Sequence, residues 1–175
     1  MASAPNHAER TRAITRDGQL WVVPPPTSRR GEVVGEIARY LGAISVLLVG
    51  VVHAQQYYGA YFSSVPTIGT LFLLSFIGSG IVGVVLLAPV RRFGRRRGDL
   101  MLVLAAFGAI GIAFGSLVSL LVSEYTPLFG FMESGYRLAV VLALIFDALA
   151  TLFLGAFVLI VAPRLVRRRK TAPQR

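Results

Sequence analysis

The chain has 175 residues, of which 55% are hydrophobic and only 15% charged, with a mean hydropathy of +0.69. An ordinary soluble domain does not carry that balance, so the composition is that of a membrane protein. Eighteen Lys and Arg against eight Asp and Glu leave a formal charge of +10, which favours an anionic lipid surface. The absence of cysteine excludes disulfides, thiolate metal sites and CxxC redox chemistry.

Residues 1–37 read as a disordered basic cytoplasmic tail. They are polar and hold Pro24, Pro25 and Pro26 in a short polyproline II stretch. The first long apolar run begins near residue 40, too far from Met1 for a cleavable signal peptide. Apolar runs at 40–58, 66–90, 100–123 and 138–163 each approach or exceed the roughly 20 residues that a helix needs to cross hydrocarbon. The expected fold is an all-α membrane protein with four transmembrane helices in an antiparallel bundle, at about 38–58, 66–90, 100–123 and 137–163. A second basic tail follows at 164–175. Pro66 suits a first helical turn, Asp99 and Ser134 are placed to cap the third and fourth spans, and Pro163 suits the end of the fourth.

Basic residues between the spans set the orientation. Arg10, Arg12, Arg16, Arg29, Arg30 and Arg39 precede the first span; Arg91, Arg92, Arg95, Arg96 and Arg97 separate the second from the third; Arg164, Arg167, Arg168, Arg169, Lys170 and Arg175 close the chain. Only Arg137 falls elsewhere. The positive-inside rule puts both termini in the cytoplasm and the connections at 59–65 and 124–137 outside. The Arg91–Arg97 and Arg164–Lys170 clusters are expected to meet anionic headgroups of the inner leaflet rather than nucleic acid. Tyr57, Tyr58, Tyr61 and Phe62, with Tyr125, Phe129, Phe131 and Tyr136, form an outer aromatic girdle.

Helices in lipid pack where small residues recur at helical spacing. On the fourth span Gly135, Ala139, Ala143, Asp147, Thr151 and Gly155 recur at every fourth position. On the third, Gly111 and Gly115 stand in GxxxG spacing, with Gly108 and Ser119 nearby, and both stripes are expected to face protein.

Asp147 is the one acidic residue inside a span, and an intramembrane carboxylate is expensive unless paired, hydrated or protonated. It is read either as a proton or cation site or as a protonated carboxyl tying helices together. His53, on the first span, overlaps it in depth, and the two would titrate as a coupled pair if their faces met. Glu133 and Arg137 are four apart, the spacing of an outer helical salt bridge. No metal site and no cofactor are expected, because the acidic and histidine residues are scattered and the single intramembrane His would need a second copy to ligate haem.

The stretch His53, Tyr57 to Tyr61 and Val65-Pro66-Thr67-Ile68-Gly69-Thr70-Leu71-Phe72-Leu73-Leu74, with Phe129-Gly130-Phe131-Met132-Glu133-Ser134-Gly135-Tyr136-Arg137, resembles small four-span membrane proteins of actinobacteria. The resemblance covers roughly residues 38–162 and implies a bacterial plasma-membrane setting without assigning catalytic residues. No Walker A, GxGxxG, HExxH or GxSxG motif is present. The leading expectation is a non-enzymatic accessory or structural subunit with a membrane-protein partner or a second copy of itself. The rival is a small proton-coupled transporter using Asp147, in one version as a homodimer. An enzyme or quinone-linked subunit, resting on an aromatic-rich outer pocket and a fold analogy alone, comes third.

Overall fold

The computed structural model describes residues 12–14, 20–22, 29–60, 62–127, 129 and 137–170, with backbone only at 12–14, 20–22, 29, 164 and 166–170. The chain divides into two units, Met1–Glu32 and Val33–Arg175. In the first, β1 (Arg12–Ile14) pairs antiparallel with β2 (Leu20–Val22), placing Ala13 opposite Trp21. Regular pairing thus occurs within the segment expected to be tail. The proline stretch at 24–26 lies outside the described residues.

Four helices follow: α1 (Arg29–Gly59), α2 (Pro66–Leu87), α3 (Arg95–Tyr125) and α4 (Leu138–Lys170). All four are long and apolar enough to cross a membrane. Pro66 occupies the first turn of α2, where its missing N–H removes nothing.

The remaining boundaries depart from the sequence reading for local reasons. A 3-10 turn at Val90–Phe93 ends on Gly94, whose φ of 106° suits glycine, and α3 starts directly after it at Arg95. A Cβ on Gly98 would lie 2.6 Å from the Arg91 Cα, so only glycine lets the first turn of α3 rest on this connection. Asp99 is therefore inside the helix and does not cap it; its carboxylate bonds to Arg91 instead. α4 runs through Pro163 to Lys170, because a proline removes one helical hydrogen bond but does not bar the turns beyond it.

α1 meets α4 where Gly42 faces Leu154 and Gly35 faces Ile160, and meets α2 where Gly50 faces Ser79 and Leu47 faces Gly83. The buried core is built largely of alanine on α1 and α3, with Ala38, Ala43, Ala106, Ala109 and Ala113 packed with Leu102, Leu154 and Phe157. Small side chains bring helix backbones close, which gains dispersion contact where water-driven collapse contributes little. This core occupies mainly the half of the helices nearest the arginine-bearing 90–97 connection. Large apolar residues such as Ile81, Val84, Leu104, Leu152 and Leu159 point outwards, as side chains that contact lipid do.

The buried face of α4 follows Ala143, Asp147, Ala150, Leu154, Phe157 and Val161 rather than the every-fourth-residue stripe. Steps of four advance about 40° past each full turn of a 3.6-residue helix, so a stripe of fours winds off any fixed face within a few steps. Accordingly Ala139, Thr151 and Gly155 are only half-buried, and a Cβ on Gly155 would enter open space. On α3, Gly111 and Gly115 are exposed, and a Cβ on either would also meet nothing within 4 Å. Among the described residues none packs against this GxxxG face.

Candidate functional site

Asp147 is 1% exposed, and neither of its carboxyl oxygens has a hydrogen-bond partner. It stands nine residues into α4, roughly 13 Å along the axis at 1.5 Å per residue. Ser116 stands nine residues before the end of α3, at a matching depth. The Asp147 carboxyl lies beside the Ser116 hydroxyl without closing a hydrogen bond to it.

Ser116 Oγ is 3.2 Å from Nε2 of His53, and Nδ1 of the same ring is 2.8 Å from the Val49 carbonyl oxygen. That carbonyl can only accept, so Nδ1 carries a proton and donates it to Val49. In the neutral ring Nε2 is then the acceptor, and the serine hydroxyl donates to it. Asp147 and His53, paired by depth in the sequence, thus meet across Ser116 rather than directly. Three other span hydroxyls bond within their own helices, Ser45 to the Leu41 carbonyl, Thr70 to that of Pro66 and Ser123 to that of Leu120, and the buried Ser79 hydroxyl has no partner. Ser116 reaches across to another helix.

Beside this group lies a cavity of about 370 Å³. α1 contributes Val52, His53 and Gln56; α2 contributes Ile68, Leu71, Phe72 and Ser75; α3 contributes residues from Gly111 to Ser123; α4 contributes Ala139, Val140 and Ala143. Phe62, from the 3-10 turn Phe62–Ser64, completes the wall. Phe72 packs edge-on against both His53 and Phe62, with ring centroids 5.4 and 5.2 Å away. All these residues belong to the half of the helices that ends at the 60–65 and 126–137 connections, opposite the alanine-rich core.

A second polar cluster sits at the arginine-bearing end. Glu36 bonds Arg39 at 2.8 Å and also Arg91, whose Nε donates to Asp99 at 2.6 Å. Burial opposes the Arg91 charge, but hydrogen bonds and attraction from Glu36 and Asp99 outweigh it and hold the guanidinium above its ordinary pKa. Arg39, 4% exposed, also lies over the Tyr40 ring at 4.3 Å. Arg91 therefore differs from its neighbours Arg92, Arg95, Arg96 and Arg97, which are exposed.

Arg137 is exposed, with its guanidinium 6.0 Å from the Phe62 ring centroid. Its expected partner Glu133 lies outside the described residues, as do Ser134, Gly135 and the side chains of Arg164 and Arg167–Lys170. Among the described residues no cluster of three or more His, Asp or Glu is placed to hold a metal ion. Ser116 was missed in the sequence because serine is common in membrane helices and ordinarily satisfies itself. Its depth, matching that of Asp147, was the signal that would have singled it out.

No family model matches the chain, and no curated protein or solved structure is similar to it.

Proposed function

We propose that the protein is a small proton-coupled transporter of a bacterial plasma membrane, its helices antiparallel and both termini cytoplasmic. The observation that carries this is the buried, unpartnered carboxyl of Asp147 beside a serine that bonds to His53, at the edge of a cavity. Intramembrane acids are expensive, and one without a structural partner is more readily explained by proton traffic than by stability. In one state a protonated Asp147 turns its O–H to Ser116, which donates to His53 Nε2. In the other the proton has moved by one place along each bond, leaving a carboxylate and an imidazolium. The His53 bond to Val49 persists in both.

The arginine distribution supports the orientation, and with it the cavity belongs to the outer half and the Glu36–Arg91–Asp99 cluster to the inner surface. The contacts of Gly42 with Leu154 and of Leu47 with Gly83 support the antiparallel arrangement. A bacterial source of actinobacterial type agrees with the arginine-for-lysine bias. The test is proteoliposomes holding a pH-sensitive dye, subjected to a pH gradient. Proton movement lost in Asp147→Asn and Ser116→Ala supports the transporter; wild-type vesicles no leakier than empty ones overturn it.

An accessory or structural subunit is the second reading. Gly111 and Gly115 of α3, against which no described residue packs, favour it. Native mass spectrometry of gently solubilised protein, showing a retained partner chain or a second copy, would support that reading.

A further inference from the structure

We propose that the cavity beside His53 is a binding site for an uncharged amphiphile, a ring-sized apolar body carrying one hydroxyl or carbonyl group. This deepens the transporter reading by naming its substrate class, and it rests on that reading only for the claim that the ligand moves. The walls explain the choice. Among the described residues that line the cavity none is Asp, Glu, Lys or Arg, so a charged ligand would leave water without an opposite charge in these walls. Phe62, Phe72, Leu71 and Ile68 supply flat apolar surface suited to a ring.

Gln56, Ser116 and Ser119 line the cavity and keep hydrogen-bonding capacity for a neutral head group, whereas both ring nitrogens of His53 are already engaged. A volume of about 370 Å³ is at the small end of ligand sites, large enough for one or two fused rings and too small for a bulky metabolite. Gly111 and Gly115 line the cavity on α3, so a larger side chain at either position would occupy it. A lipid acyl chain has the same apolar chemistry but no head group at that depth.

The experiment uses the full chain in nanodiscs of zwitterionic lipid at neutral pH. Three fluorescent probes share one ring system: naphthol, naphthalenesulfonate and naphthylmethylammonium. Protein-free nanodiscs give the partitioning background. Naphthol should bind saturably, and the two charged probes at least about tenfold more weakly. Gly111→Leu and Gly115→Leu, at positions that line the cavity and where a Cβ meets nothing within 4 Å, should weaken naphthol at least about tenfold while keeping the wild-type melting temperature. Charged probes binding as well as naphthol would overturn the proposal. So would naphthol binding that neither leucine variant disturbs. Absence of saturable naphthol binding, with fewer co-purified lipids in the leucine variants, would overturn it in favour of an acyl chain. Saturable naphthol binding to the wild-type protein, alongside wild-type vesicles that move no more protons than empty ones, would leave the site standing and remove the transporter.

Discussion

Ser116 Oγ and His53 Nε2 stand 3.2 Å apart across 63 positions of sequence, and through that contact α3 joins α1 beside the buried acid of α4. The fixed donor on the other side of the ring, Nδ1 to the Val49 carbonyl at 2.8 Å, decides the direction of the whole chain of bonds. The neutral ring is expected to carry its proton on Nδ1. Nitrogen NMR of ring-labelled histidine in lipid checks this, and a neutral ring protonated on Nε2 would contradict the proposed relay.

Asp147 separates a working acid from a structural one. Because neither oxygen is bonded, Asp147→Val should be neutral or stabilising by up to ~1 kcal/mol, and Asp147→Asn should change stability little. A carboxyl that ties helices together would instead lose ~1–3 kcal/mol on replacement by valine. Thermal unfolding in a mild detergent distinguishes the two, and marked destabilisation by valine would return Asp147 to a structural role.

The ion cluster at the other end predicts unequal arginines. Arg91→Ala should destabilise by about 1–2 kcal/mol, a value kept low because the side chain is still about one-third exposed, whereas Arg92→Ala should stay within ~0.5 kcal/mol. The folded pKa of Arg91 is raised, so its contribution is complete below the ordinary guanidinium value and is lost only as pH rises through the folded one. The difference between the two variants should therefore be constant across neutral pH. Melting curves for both, with an Arg91→Ala/Asp99→Asn cycle, measure it.

Two glycines on one helix should respond oppositely. Gly98→Ala places a Cβ 2.6 Å from the Arg91 backbone and should cost ~1–3 kcal/mol through forced displacement. Gly111→Ala meets nothing within 4 Å and should be neutral or gain up to ~1 kcal/mol from helix propensity. Equal melting temperatures for the two variants would mean that the 90–97 connection does not pack on α3 as described.

Orientation is open to a clean test because the chain has no cysteine. Single replacements Phe93→Cys and Ser63→Cys, both at exposed positions, should react with an impermeant maleimide from opposite sides of the membrane. Phe93→Cys should label only in inverted vesicles, and labelling of both positions from one side would refute the four-span topology.

Four membrane-length helices, the clustering of basic residues between them and the anomaly of Asp147 were all legible in the sequence, since length, charge and desolvation depend on local composition alone. Axial depth was legible too, because the rise per residue is constant, and it set His53 and Asp147 within about two turns of each other. Rotation about each axis was not. It follows from which faces interlock, so the four-residue stripe of α4 overstated its buried face and Ser116 passed unnoticed beside Gly115. Only the tertiary structure decided that alanines close one half of the bundle while the other half encloses a cavity. The physical reason is that close packing is a relation between helices: a small residue becomes a contact or a void according to what stands opposite it.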